Sequence, residues 1–302
     1  MTRASWQRRA GKDVLVSAIN DRLDADLIAP AARERQLIAQ FGNGFDNIDI
    51  EAAYARRPDR HQHAQRSHRR HGRHGDDADA GSAAPAGRRR RGPAARASWP
   101  GWSPTWMLGR RLRGKALGIV GLGRIGTAVA QRARSFGLNI HYFSRNRRPA
   151  QLEEALGATY WEELDAMIEE VDIVSLHTPL TRDTHNILNA GAAEGGCARM
   201  PSWSTSRGPS CIDEDALIAD IESGHLSGAA LDVFENRNGI SPRLLALARQ
   251  HRVVLTAHMA SATLEARLEM GETVIVNIRA FIDGAQPPHR VLPDSRNRVA
   301  RG

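Results

Sequence analysis

The chain has 302 residues, a formal net charge of +8 and 41% apolar residues, with aromatics at only 5%. That length holds two ordinary domains or one large one, and the scarcity of aromatics argues that part of the chain contributes little to a core. The two cysteines, Cys197 and Cys211, form no CxxC pair, which argues against a disulfide framework or a cysteine zinc site and for a reducing compartment.

No apolar run approaches the ~20 residues that span a bilayer. The basic stretch Met1 to Lys12 has no apolar core of the kind a secretory signal needs. The chain is read as cytoplasmic, with no membrane partner.

Asp13-Val14-Leu15-Val16 predicts a short buried strand, and Leu37-Ile38-Ala39-Gln40-Phe41 a second, followed by the Gly-rich turn Gly42-Asn43-Gly44. Ile50 to Arg56 begins a helix. Residues 1–56 thus read as part of one α/β domain.

The character then changes. From Arg57 through Ser98 there is no Val, Ile, Leu, Met, Phe, Tyr or Trp. Such a stretch cannot bury enough surface to offset ~1–2 kcal/mol of backbone entropy per residue, so 57–98 is expected to be disordered. Residues 57–97 hold 11 arginines against 4 aspartates, a net +7 out of the chain's net +8. The basic balance is therefore local. The segment lacks the interleaved aromatics of a nucleic-acid arm, so no nucleic-acid partner is expected. Its five histidines between His61 and His74 have no acidic or cysteine neighbours that organise a metal site.

From Trp99 onward strands and helices alternate. Leu117 to Val120 predicts a buried strand, Ile125 to Phe136 a helix, Asn139 to Phe143 a strand, Leu164 to Glu170 a helix and Asp172 to Leu176 a strand. After an aperiodic stretch from Gly191 to Cys211, the pattern resumes. A helix is expected over Asp213 to Ser223, strands over Ala229 to Phe234 and Val253 to Thr256, and a long helix from Ala262 to about Phe281 with Ser261 or Thr263 as its cap. The alternation implies a doubly wound parallel sheet. Residues 99–284 are taken as this domain and 285–302 as a tail returning to the first.

Gly121-Leu122-Gly123-Arg124-Ile125-Gly126 follows a predicted strand and opens a predicted helix, the setting that gives GxGxxG its meaning. The first glycine allows the tight turn, the second lets the backbone approach a pyrophosphate, and the third allows helix and sheet to pack closely. The helix N-terminus offers free N–H groups to the anion. About 20 residues on, a carboxylate normally holds the ribose of NAD. Here the chain reads Phe143-Ser144-Arg145-Asn146-Arg147-Arg148. Ser144 and Arg145 suit a 2′-phosphate, so NADP is expected ahead of NAD.

With these motifs go His177-Thr178-Pro179-Leu180-Thr181, Ser206-Arg207-Gly208, Asp213-Glu214-Asp215-Ala216-Leu217, Leu231-Asp232-Val233-Phe234 and His258-Met259-Ala260-Ser261. In that order they resemble the motifs of the D-isomer-specific 2-hydroxyacid dehydrogenases. Phe41 to Asp49 is similar to that family's substrate-domain loop, and Ser144-Arg145 points to its glyoxylate/hydroxypyruvate reductase branch. The resemblance implies a Rossmann-type cofactor domain, a flavodoxin-like substrate lobe (here truncated), a homodimer, and hydride transfer between NAD(P)H and a small 2-keto or 2-hydroxy acid. It implies that Arg207 binds the substrate carboxylate and polarises the keto oxygen, as a planar, permanently charged guanidinium can. His258 becomes the acid–base group. Backbone N–H groups of Asn43 and Gly44 hold the carboxylate, and Asp232 holds the nicotinamide carboxamide. Pro179 and Thr184 line the cofactor cleft, with Arg124 and Ile125 at the phosphates.

The chain also departs from the family. A Glu expected five residues after Asp232, beside the histidine, is replaced by Arg237, with Glu235 two residues away. A cation there favours neutral imidazole. Residues 57–97 and 191–203 stand where strand and helix are expected, and the chain starts late in the substrate domain. Their composition fits an out-of-frame reading of GC-rich DNA. These departures raise a second reading, a nucleotide-binding chain without turnover.

Overall fold

The structure, a computed structural model, describes residues 14–31, 37–54 apart from 43 and 46, 104–105, 109–188, 202–205, 211–234 and 239–291. The expected disordered segment 57–98, and Asn43, Arg207, Glu235 and Arg237, lie outside the described residues. In chain order the elements are β1 (Val14–Ala18), α1 (Ala25–Ala31), β2 (Leu37–Phe41), α2 (Ile50–Tyr54), β3 (Ala116–Val120), α3 (Arg124–Ser135), β4 (Asn139–Phe143) and α4 (Ala150–Leu156). There follow β5 (Ala158–Trp161), α5 (Leu164–Glu170), β6 (Ile173–Leu176), β7 (Ser202–Thr205), α6 (Glu214–Ser223), β8 (Gly228–Leu231), α7 (Pro242–Arg249), β9 (Val253–Leu255) and α8 (Leu264–Ile282). The chain divides into two compact units, Met1–Arg70 with Ala262–Gly302, and His71–Ser261.

In the second unit seven strands form one parallel sheet in the order β5-β4-β3-β6-β7-β8-β9. β3, β6 and β8 are buried along their whole length. That burial explains why they read as unbroken apolar or small-residue runs rather than alternating ones. One core gathers Met167, Ile168 and Val171 with Val174, Leu217, Ile221, Leu244 and Leu247. A second sets Leu117, Ile119, Ile140 and Tyr142 against Val129, Ala130 and Ala133 of α3. The helix starts follow local chemistry. Asp213 caps α6 by accepting from Ala216 N at 2.9 Å, and Thr263, one of the two expected caps, accepts from Ala266 N at 3.1 Å.

β7 corrects one expectation. Gly191 to Met200 shows no periodicity, and residues 191–203 were expected to replace the strand leading to Arg207. The structure places Ser202–Thr205 between β6 and β8, paired with both. Ladder bonds are made by peptide groups, so a slot with partners on both sides accepts a segment whose side chains carry no strand pattern.

In the first unit β1 and β2 pair in parallel, Val14 opposite Leu37. Leu15, Leu23, Ile28, Ile38, Ile48, Ala53 and the late residue Val291 form one core, and the Tyr54 hydroxyl donates to the Val291 carbonyl. The other face of β2, through Leu37 and Ala39, packs on Val274, Ile278 and Phe281 of α8. The sequence reading placed this helix in the cofactor domain, up to residue 284; its packing groups it with the first unit. Its buried residues Ala266, Met270, Val274 and Asn277 lie on one face, which periodicity shows, but periodicity does not name the sheet that face meets.

Candidate functional site

Every expected site residue that the structure describes in the second unit follows the carboxyl end of a strand. Gly121 to Gly126 follow β3, Ser144 and Arg145 follow β4, Pro179 and Thr184 follow β6, Asp232 follows β8 and His258 follows β9. β3 and β6 are neighbours, with the strand order running outward from them in opposite directions. In open parallel sheets this reversal, at the carboxyl edge, is where ligands bind.

The Gly-rich turn is shaped by its surroundings. Gly121 has φ 95°, and a Cβ there would lie 2.8 Å from Thr178 Cγ2 and 3.1 Å from the His177 carbonyl. A Cβ on Gly126 would lie 2.4 Å from the Gly121 oxygen. Around Gly123 a Cβ meets nothing within 4 Å. So the first and third glycines are demanded by the protein itself, whereas the second borders open space at the start of α3. No side chain caps that helix at Gly123. First-turn N–H groups, which an α-helix leaves without intrahelical partners, and an open approach over Gly123 suit a pyrophosphate. The residues present therefore fit a dinucleotide. Arg124 is exposed and Ile125 half-buried beside this opening.

The strand-end run after β4 is distributed among three tasks. Ser144 is buried, and its hydroxyl accepts from Leu122 N at 2.9 Å, so this side chain braces the Gly-rich turn. Arg148 Nε donates to Leu122 O at 2.7 Å, gripping the same peptide segment from its carbonyl side. Arg147 makes a two-pronged pair with Glu153 of α4, at 3.0 and 2.9 Å, and Tyr142 donates to the same carboxylate at 2.5 Å. The Arg147 hydrogen bonds hold the Glu153 carboxyl below its usual range. Burial, helped by the Glu153 bond, pushes the Tyr142 phenol up to about 12. Arg145 is exposed and lies 4.0 Å from Asp183. Of the two residues expected to face a 2′-phosphate, Arg145 is exposed beside Asp183 and Ser144 is engaged in the turn.

After β6, Thr184 is buried and its hydroxyl donates to Pro179 O at 2.6 Å, while Thr181 N donates to Thr184 Oγ1 at 2.7 Å. Thr184 thus fixes the shape of the 179–184 loop, and Pro179 is exposed at its start. After β8, Asp232 is 4% exposed. Its carboxylate accepts from Thr256 Oγ1 at 2.5 Å, Met259 N at 2.7 Å and Ala260 N at 2.9 Å. Its carbonyl accepts from His258 N at 2.9 Å. His258 itself is exposed and sits at φ 52°.

In the first unit Gly44 belongs to a loop braced from below. The buried amide of Gln40 donates to Gly44 O at 3.1 Å and to Asn47 Oδ1 at 2.9 Å, and accepts from Ser17 at 2.6 Å. Sequence reading missed Ser17, Gln40 and Asn47. A polar residue interrupting an apolar strand, as Gln40 does in β2, was the available signal. Among the described residues there is no cluster of three metal-ligating side chains, and no helix is long and apolar enough to cross a membrane.

A parallel sheet of this order with a Gly-rich turn at its reversal defines a dinucleotide-binding Rossmann protein. The chain belongs to the D-isomer specific 2-hydroxyacid dehydrogenase family: residues 88–260 match its NAD binding domain and 3–57 its catalytic domain. It is 38% identical over 289 residues to a glyoxylate reductase of Thermococcus litoralis, covering 93% of this chain and 84% of that one. Among solved structures it is similar to a glyoxylate reductase from Paecilomyes thermophila, with TM-score 0.79, 28% identity and coverage of 92% and 83%. It is also similar to a D-lactate dehydrogenase from Aquifex aeolicus complexed with NAD and lactic acid, with TM-score 0.81, 25% identity and coverage of 96% and 90%.

Proposed function

We propose that the chain is an NAD(P)H-dependent reductase of a small 2-keto acid, with glyoxylate and hydroxypyruvate as its substrates. The observation that carries this is the placement of the open Gly-rich turn and the His258 turn at the same edge of one sheet, in a chain of this family. Glyoxylate comes first because the relatives from Thermococcus litoralis and Paecilomyes thermophila are glyoxylate reductases.

The dinucleotide is held by Gly121 to Gly126 at its pyrophosphate, with Arg124 and Ile125 beside the phosphates and Pro179 and Thr184 along the adjoining loop. When bound, it supplies the hydride that reduces C2 of the keto acid. Arg207 pairs with the carboxylate through two parallel hydrogen bonds and polarises the keto oxygen. Backbone N–H groups of Asn43 and Gly44 are the second anchor of that carboxylate. His258 gives its proton to the developing alkoxide and takes it back in the oxidative direction. NADPH is the proposed partner ahead of NADH, because the exposed Arg145 follows β4 in a run, Phe143 to Arg148, that has no Asp or Glu. A homodimer is proposed as the assembly, to be checked by light scattering.

The test is nicotinamide oxidation followed with glyoxylate and with hydroxypyruvate, using NADPH and NADH in parallel and His258→Ala beside the natural chain. Turnover that vanishes in the variant supports the reductase and His258. Cofactor binding without turnover on either acid overturns it in favour of a nucleotide-binding chain, the outcome that Arg237 at the expected Glu position would explain.

A further inference from the structure

We infer that Asp232 is a positioning residue for His258, acting through the backbone of the turn that carries the imidazole. The inference rests on the reading of His258 as the acid–base group. The turn spans Thr256 to Ala260, immediately after β9. His258 stands at φ 52°, a left-handed conformation that a residue with a Cβ adopts only when its surroundings over-determine it. The over-determination comes from one residue on the neighbouring strand end. Asp232 O accepts from His258 N at 2.9 Å, and the two carboxylate oxygens accept from Met259 N at 2.7 Å and Ala260 N at 2.9 Å. Thr256 Oγ1, at 2.5 Å, closes the turn at its start. Three successive peptide N–H groups thus point at a single buried residue. An ionised carboxylate suits this arrangement because it only accepts, and all three groups facing it donate.

The family resemblance implies that Asp232 also holds the nicotinamide carboxamide, and the geometry is compatible with both roles. The turn's donors take three of the about four acceptor sites of the carboxylate, so holding the turn is a role beside that one. Displacement of a catalytic group by about 1 Å costs about 100-fold in rate, so a residue that sets the turn sets the rate without touching the substrate.

The variants are Asp232→Ala, Asp232→Asn and Thr256→Val, with Thr256→Ser as the conservative partner and His258→Ala alongside. Hydrogen exchange is followed by mass spectrometry on peptides spanning the turn, in protein without cofactor. Exchange there should quicken roughly tenfold or more in Asp232→Ala, as expected on losing charge-assisted bonds. In turnover, kcat should fall about 100-fold in Asp232→Ala and less in Asp232→Asn and Thr256→Val, with Thr256→Ser recovering most of the loss. In the Thr256 variants the keto-acid KM and the cofactor Kd should stay within about twofold, and so should the preference for NADH over its acetylpyridine analogue, whose carboxamide nitrogen is replaced by a methyl group. Unchanged exchange in the turn overturns the inference whether or not the chain turns over. So does a shift in analogue preference or cofactor Kd with kcat intact, which would leave Asp232 with the carboxamide role alone. If Asp232→Ala does not fold, the Thr256 pair decides by the same readouts. A dead His258→Ala with fully active Asp232 variants sinks this inference alone; a fully active His258→Ala sinks the His258 reading as well.

Discussion

Arg148 Nε donates to the Leu122 carbonyl at 2.7 Å while Ser144 Oγ accepts from the Leu122 N–H at 2.9 Å, so one residue of the Gly-rich turn is gripped on both sides from the end of β4. A charge-assisted hydrogen bond of this kind is worth about 1.5–3 kcal/mol. Arg148→Ala should therefore loosen the turn and raise the cofactor Kd by roughly 10- to 100-fold, read by nicotinamide fluorescence. Arg148→Lys, which can still reach the carbonyl, should recover part of it. An unchanged Kd in the alanine variant would show that the turn holds its shape without the clamp.

The three glycines should fail in different ways. At Gly126 a Cβ would press to 2.4 Å on the Gly121 oxygen, a contact between backbone atoms that no rotamer relieves. Gly126→Ala should lose stability toward the upper end of ~1–3 kcal/mol. Gly121→Ala should also destabilise, through its φ of 95°. Gly123→Ala has open space, so it should melt like the natural chain yet bind cofactor more weakly, since the methyl group occupies the approach to the pyrophosphate. Calorimetry with a binding titration separates these. Gly123→Ala with full affinity would move the phosphate site elsewhere.

Cofactor preference should depend on Arg145, which is exposed and lies 4.0 Å from Asp183. Arg145→Ala should raise the NADPH KM about 10- to 100-fold and leave NADH nearly unaffected. Asp183→Asn, by removing a competing carboxylate, should favour NADPH. Equal losses for both cofactors in Arg145→Ala would argue against a 2′-phosphate contact.

The sheet edge carries a pH-sensitive bond. Trp161 Nε1 donates to His141 Nδ1 at 3.0 Å. An indole N–H only donates, so Nδ1 must be bare and the imidazole neutral. Burial holds the His141 imidazole below its ordinary value of 6.5, outweighing the pull of the Glu170 carboxylate in the other direction. The unfolded chain then binds this proton more tightly than the folded one. The associated stability is full above the ordinary value and is lost as pH falls through it toward the folded value. Denaturant titrations between about pH 7 and pH 5 should show that loss, smaller in His141→Gln, with a matching change in fluorescence absent from Trp161→Phe. An identical slope in His141→Gln would assign the pH dependence to other groups.

Elements with strong local pattern were legible in the chain. β3, β6 and the Gly-rich turn could be read because a buried parallel strand is a continuous apolar run and the turn needs glycines at set places. The starts of α6 and α8 could be read because Asp213 and Thr263 cap their own helices. α1, α4, β5 and α7 were not foreseen. α1 and α4 are seven residues long, β5 four and α7 eight, and each is held by what it packs against.

By itself, then, the sequence determined the parallel α/β class and the dinucleotide turn, because these depend on residue type and short spacing, and its resemblance to a known family pointed to Arg207 and His258. Only tertiary structure decided that Ser144 braces Leu122, that Asp232 holds the His258 turn and that α8 packs on β2. Each of those assignments is a hydrogen bond or a contact between segments far apart in the chain, and a side chain's partner across the fold is not written in its neighbours.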